Sequence, residues 1–352
     1  MIASILISVA TYFIFKMENK VAAMVAAGSL VVTVLGCTVA TYVSTSSVEK
    51  LNGQVTGKAQ NRVSCSHSYS CNCRTVTSGS GKNRTTSTVC DTCYEHSYDY
   101  DWDVYSSVGN LTIDRVDRRG TTEPERWSIV KNGDPVTVNH TYTNWIKPAG
   151  SSLFNKSSKS EKDVSKLPKY PGQIYDYYKI DRLVLDGVKI PNVSEMNQYL
   201  SDQLKIVGPA SQANIIIVVT NKPSQAYAKE LYAAWKGAEK NDVVVFVGVS
   251  GNEIQWAQVE AWSKSSIFQV KLRDAILDIK TLDMKRIIDT SAQVTVQQYT
   301  RKPMKEFEYL KDDIQTITPL ASIIIVLLMV LIHAIPIWIK RQEAKKNIRY
   351  RY

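Results

Sequence analysis

Apolar positions gather at the two ends of the chain and break into short runs between them. Residues 317 to 339 run from Ile317 to Ile339 without an Asp, Glu, Lys or Arg, and about 20 apolar residues suffice to cross the hydrocarbon core as a helix. Residues 21 to 43, from Val21 to Val43, form a second uncharged run of similar length. Both are read as transmembrane helices, because a helix satisfies its backbone groups internally in lipid. Residues 1 to 15 hold a shorter apolar segment, read as a candidate third span.

Residues 44–155 are rich in Ser, Thr, Asn and Tyr, with short alternating runs at Trp127-Ser128-Ile129-Val130 and Val136-Thr137-Val138 and a turn signal at Asn132-Gly133-Asp134-Pro135. This predicts a small β domain. Residues 156–191 include a polar run from Lys156 to Lys166 and prolines at 168 and 171, and are read as a linker.

Residues 192–315 alternate between helix and strand. Asn192 with Glu195 fits a helix start, Asn214 to Thr220 (NIIIVVT) fits a buried strand, and Pro223 suits the first turn of a helix through Trp235. Val243 to Val249 fits a second strand, with a turn at Ser250-Gly251-Asn252 and a return strand from Glu253 to Val259. Phe268, Leu272, Ile276 and Ile279 then fall on one helix face. The expected class is an α+β membrane protein with transmembrane helices at both ends, a small Cys-rich β domain and an α/β sandwich.

Charge adds an orientation. The tail 340–352 carries Lys340, Arg341, Lys345, Lys346, Arg349 and Arg351 against Glu343, half of the formal net charge of +10 over 352 residues. Short flanks rich in Lys and Arg stay in the cytoplasm. Lys16 and Lys20 precede the first span, so both cues put residues 44–316 outside the cytoplasm, at an inner or plasma membrane. The high positive charge is thus a topology signal, and no nucleic-acid partner is expected.

The order of the strand IIIVVT, the helix Ala226 to Lys236, the strand entry Lys240 to Val247 and the helix Leu272 to Ile279 resembles the TPM domain. That resemblance implies an α/β fold often tethered by a transmembrane helix, with phosphatase activity in some members. The chain departs from the pattern at Asp242, where a glycine is common, and around Gln258 to Glu260, where another is expected. No metal or phosphatase site is therefore carried over. The whole arrangement is also similar to membrane proteins of large tailed bacteriophages.

The chemistry-bearing residues cluster in the β domain. Cys71, Cys73, Cys90 and Cys93 form a Cys-x-Cys and a Cys-x-x-Cys pair 16 residues apart, a set from which four thiolates could hold zinc; Cys65, His67 and His96 are substitutes. Disulfides are the competing reading, since a small polar domain outside the cytoplasm gains from cross-links. Asp99, Asp101 and Asp103 alternate and could hold a cation from one strand face, but a solvated strand face is the preferred reading. Ser78 to Lys82 superficially matches a phosphate loop but lacks its context and is read as a hairpin turn. Cys37 is read as a membrane-buried thiol, and His333 as a helix-contact residue. Asp242, Asn252, Glu253 and Asp283 lie near expected strand ends, where α/β sheets bind ligands, and ordinary turn and cap roles explain them equally well.

Two functions follow as expectations. The first is a membrane-anchored envelope component that presents both modules outside the cytoplasm to a protein partner, with zinc as the candidate cofactor and a homo-oligomer compatible with it. The second, implied by the TPM resemblance, is a metal-dependent phosphatase-like hydrolase, which would need clustered carboxylates around a metal.

Overall fold

The computed structural model describes Tyr12 and residues 19–79, 84–148, 166–176, 178–312 and 317–349. The candidate span at 1–15 therefore lies outside the described residues, Tyr12 excepted. The chain runs through α1 (Asn19–Thr45) directly into β1 (Ser46–Val63). There follow β2 (Ser68–Ser78), β3 (Thr85–Tyr94), β4 (Asp99–Ser106), β5 (Leu111–Ile113), the short helix α2 (Glu125–Ile129) and β6 (Pro135–Thr143). β7 (Leu183–Asp186), α3 (Val193–Ser211), β8 (Asn214–Thr220), α4 (Ala226–Ala234), β9 (Asp242–Ser250), β10 (Glu253–Ala261), α5 (Phe268–Leu277) and α6 (Met284–Gln298) build the second unit. A 3-10 helix (Met304–Asp312) leads to α7 (Pro319–Arg349).

α1 and α7 are long and apolar enough to cross a membrane. They pack antiparallel: Gly36 meets Ile325, Thr33 donates to Met329 Sδ at 3.3 Å, and Ser29 Oγ lies 3.4 Å from His333 Nδ1. Small and hydroxyl residues line the contact because helices in lipid associate by close packing and hydrogen bonds, with no hydrophobic drive between them. Leu35, Val39, Leu331 and Trp338 on the outer faces remain exposed, which fits a membrane-spanning pair. His333 is buried against α1, which fits the helix-contact role.

The β domain is a sheet in the order β5-β4-β1-β6. β1 is long because it serves two partners. Residues 46–54 pair with β6 and residues 55–63 with β4, the register shifting between Val55 and Gly57. The core is small, centred on Val55, Val104, Val130 and Val136 and covered by Trp127. The alternating run at Trp127 forms α2 rather than a strand, because Pro124 opens a helical turn and the Trp127 indole donates to Asp103 O at 3.0 Å.

The second sheet has the order β10-β9-β8-β7, with β7, β8 and β9 parallel and β10 antiparallel. α3, α5 and α6 cover one face through Leu200, Leu204, Phe268, Leu272 and Ile287. α4 covers the other, where Leu231 and Trp235 meet Ile216 and Phe246. Both faces are covered, so every residue of β8 is buried. This is the expected α/β sandwich. Its sheet takes in β7, which falls inside the stretch read as linker, and Tyr170 from that stretch also packs on the core. Asn192 sits at the start of α3 in a left-handed conformation and its side chain makes no capping bond.

A buried polar layer joins the two domains. Arg182 Nη2 donates to Asn52 Oδ1 at 2.7 Å and Thr137 Oγ1 at 2.9 Å, and Arg182 Nε to Asn214 Oδ1 at 2.9 Å. Asn214 Nδ2 donates to Asp242 at 2.8 Å, and the Tyr170 hydroxyl to the other Asp242 oxygen at 2.7 Å. A Cβ on Gly208 of α3 would sit 2.0 Å from Asn52 O, so this contact requires glycine. Lys50 of β1 pairs with Glu239 at 2.7 Å. Burial first, then the Asp242 charge, push the Glu239 carboxyl up to about 7 from its ordinary 4.5, against the pull of the Lys50 hydrogen bond.

This shift makes a pH prediction. A carboxyl raised in the folded state keeps a proton that the unfolded chain has released, so its contribution is greatest below about 4.5 and fades as pH rises through about 7. Denaturant unfolding of the full chain in detergent should show stability declining by on the order of 3 kcal/mol over that window. Glu239→Gln should flatten the slope; an unchanged slope would refute the assignment.

Candidate metal centre

β2 and β3 pair as a hairpin from Ser68↔Tyr94 to Ser78↔Thr85, and its register decides what lies at the root. Cys65 and His67 precede the first strand, and His96 and Asp99 follow the second, so pairing the strands brings the four together. Glu95 N donates to His67 O at 3.0 Å and extends the ladder to that point. Residues 80–83, most of the phosphate-loop-like run, lie outside the described residues, but the flanking strands make it a hairpin connection.

The four cysteines expected to bind zinc are joined instead as two disulfides, Cys71–Cys93 and Cys73–Cys90. The antiparallel hairpin brings them together without pairing them directly: Cys71 lies opposite Asp91 and diagonal to Cys93, and Cys73 and Cys90 meet where the register shifts between Cys71 and Arg74; a disulfide sulfur offers no thiolate to a metal. Each bridge closes a loop of about 20 residues and contributes on the order of 3 kcal/mol in the chain-entropy account. The ribbon needs this, because almost every residue of β2 and β3 is exposed and no core cluster among the described residues supports it.

The donor set moves to the three substitutes, Cys65, His67 and His96, joined by Asp99. Cys65, His67, His96 and Asp99 each offer one ligand atom, all within 4.8 Å of one another, and form the one such group among the described residues. Cys65 Sγ lies 3.8 Å from His67 Nδ1 and 3.7 Å from His96 Nδ1. Asp99 Oδ1 lies 3.2 Å from His96 Nδ1, and Oδ2 3.3 Å from His67 Nδ1. A tetrahedral ion with bonds of about 2.3 Å to sulfur and 2.0 to 2.1 Å to nitrogen or oxygen has edges of roughly 3.3 to 3.6 Å. These four separations match such edges within a few tenths of an ångström, with Asp99 facing one histidine through each of its two oxygens.

Asp99 is fully buried and Cys65 nearly so, while both imidazoles reach the surface. Burial alone would raise the Asp99 carboxyl. Hydrogen bonds from Arg115, Ser66 N, Cys65 and His96 outweigh it and hold the group down to about 2. Arg115 Nη1 donates to Asp99 at 2.9 Å and Nη2 to Asp101 at 2.8 Å, so the guanidinium locks the carboxylate's orientation. Such outer partners orient ligands and tune a metal. Asp103 is taken by Asn61 at 2.7 Å and Thr112 at 2.6 Å. The alternating acids therefore divide between the cluster, a guanidinium and neighbouring polar groups rather than converging on one cation.

The acidic residues of the α/β sandwich do not converge either. Asp242 begins β9, whereas Asn252 and Glu253 follow its far end, nine residues and about 27 Å away. Asp283 caps α6 by accepting from Arg286 N at 3.0 Å. Cys37 is a free thiol within α1. Comparison with family models, curated proteins and solved structures finds no match. The resemblance to the TPM domain and to phage membrane proteins therefore rests on the sequence features alone.

Proposed function

We propose that this chain is a membrane-anchored binding protein of a cell envelope, with residues 44–316 outside the cytoplasm. In this reading a zinc ion at Cys65, His67, His96 and Asp99 sets the root of the disulfide-laced hairpin, which engages a protein partner. The observation that carries it is the β2–β3 ribbon, two exposed strands cross-linked by two disulfides above a compact donor cluster. Two cross-links in a segment with no core favour an oxidising compartment, which agrees with the basic tail and its positive-inside rule. Thiolate with two imidazoles and a carboxylate is a donor set suited to zinc. Zinc would supply a fixed tetrahedral node; Arg115 would hold Asp99 and the hairpin ladder would hold both histidines. Tyr69 and Tyr94, more than half exposed, stand on the ribbon and suit protein contact.

The test combines side and partner. Alkaline phosphatase fused after residue 155 should be active and after residue 345 inactive. A photo-crosslinker at Tyr69 or Tyr94 in intact membranes should trap one discrete protein, and lose it when Cys73 and Cys90 are both changed to Ser. The inverse fusion pattern, or crosslinks to lipid alone at both positions, would refute the reading.

A further inference from the structure

At the end of the sandwich nearest α1 and α7 lies a cleft of about 490 Å³ lined by Gln212, Lys240, Lys264, Arg301, Pro303 and Met304. Three of its six lining residues are cations and none is an acid. Arg301 is held by Glu49 and Gln212, and Lys264 pairs with Glu306. Glu49 itself is fully buried behind the wall, where His140 Nδ1 also lies 2.9 Å from it. Lys240 differs from its neighbours. It is only 5% exposed, yet its ammonium has the Tyr142 ring 4.9 Å away and no hydrogen-bond partner among the described residues. The stem is buried while the residue lines the cleft, and an ammonium with unspent donors beside a guanidinium is repelled by it unless an anion joins them.

The height of the cleft above the bilayer is set by β1. Tyr142 pairs with Ser47 and His140 with Glu49, the second and fourth residues after α1 ends at Thr45. At about 3.3 Å per residue these rungs stand at most roughly 7 to 13 Å from the end of the helix. The polar headgroup layer is roughly 5 to 7 Å deep on each face, and Lys and Arg side chains reach several ångströms further. Two contacts mark the same level. Lys147 Nζ donates to Ser46 O at 2.5 Å, and Lys311 stacks 4.8 Å over Trp145, a pairing suited to the lipid–water boundary.

We propose that this cleft binds a phosphate group, and that in the membrane the occupant is the headgroup of an anionic phospholipid. Arg301 supplies a planar fork with N–H groups beyond those given to Glu49 and Gln212, while Lys240 and Lys264 supply point charges; together they suit a tetrahedral oxyanion. Burial first, then Arg301, push the Lys240 ammonium down, and a bound anion relieves both. The inference rests on α1 and α7 spanning the membrane and holds whichever side the domains occupy.

The full chain, reconstituted in nanodiscs of mixed phosphatidylglycerol and phosphatidylcholine and released into mild detergent, should retain phosphatidylglycerol in native mass spectra. Lys240→Met should cut that retention at least tenfold and Lys240→Arg should restore most of it, with circular dichroism reporting the fold. If Lys240→Met does not fold, the exposed Lys264→Gln should weaken retention about threefold. Stabilisation by inorganic phosphate without preference between the two lipids would assign the cleft to free phosphate and overturn the headgroup reading. Binding of neither probe, or lipid retention indifferent to these lysines, would overturn the proposal altogether.

Discussion

Replacing Arg182 by Met should remove about 3 to 5 kcal/mol from the stability of the full chain. The side chain is 1% exposed and joins both domains, donating to Asn52 and Thr137 of the β domain and to Asn214 and Ser201 of the sandwich. Methionine fills a similar volume, so the effect reads the loss of charge and donors rather than a cavity. Without the guanidinium, the Asn52, Asn214 and Thr137 oxygens lose their shared donor. The fully buried Asp242, whose direct partners are the Tyr170 hydroxyl, Asn214 Nδ2 and Glu239 N, then loses the nearby positive charge of Arg182. Removing one member of such a buried set costs more than the intact set contributes, because the remainder stay desolvated.

Asp242→Asn tests the same layer from its other end. Three donors converge on its two oxygens, so an amide must turn an NH2 group toward one of them. A comparable loss is expected, and the two losses should not add, because both break one network. Denaturant unfolding in detergent, followed by tryptophan fluorescence, measures both. A loss under about 1 kcal/mol for Arg182→Met would show that the layer is not what couples the domains.

Asp242 illustrates how far the sequence could be read. It stands out there as a departure from the TPM-type pattern, but its role depends on Arg182 and Asn52, residues 60 and 190 positions away. Elements that bury continuous apolar runs were legible, as with β8, where Asn214 to Thr220 match the strand. α6 was not, because its buried face is built from Ser291, Ala292 and Thr295 as well as Ile287 and Ile288, which dilutes the helical period. β7 is only four residues long and takes its identity from parallel pairing with β8. In β1, Glu49, Lys50 and Asn52 are buried only because the sandwich covers them, and no local signal marks that.

The candidate donor cluster was legible in its parts but not in its grouping. Cys65, His67 and His96 stand in the sequence beside the four other cysteines, whereas Asp99 stands in an alternating acidic run with Asp101 and Asp103 that reads first as a solvated strand face. What sorts them is the hairpin register, in which Cys71 bonds Cys93 and Cys73 bonds Cys90. Once those pairs are set, Cys65-x-His67 and His96-x-x-Asp99 must meet at the root. Arg115 carries no motif at all; its part follows from β4 and the loop after β5 lying side by side.

Zinc occupancy should follow that grouping. The full chain purified without chelator should contain about one zinc, and protons or a strong chelator should release it, because both compete for the same donor atoms. Cys65→Ala or Asp99→Ala removes one of four ligands and should weaken affinity by more than 100-fold. Arg115→Met leaves every ligand in place and removes only the outer hydrogen bonds, so a smaller loss of 10- to 100-fold is expected. Changing Cys71 and Cys93 together to Ser should leave the zinc content unchanged, because their sulfurs are bound to each other. That contrast separates this centre from a four-cysteine site, in which the same pair would abolish binding. Cys65 supplies a second readout. As a buried free thiol it should resist alkylation in the zinc-loaded protein and react once the metal is withdrawn. Metal-free protein in which Cys65 alkylates no faster after chelation would mean that the cluster is held by its own hydrogen bonds alone.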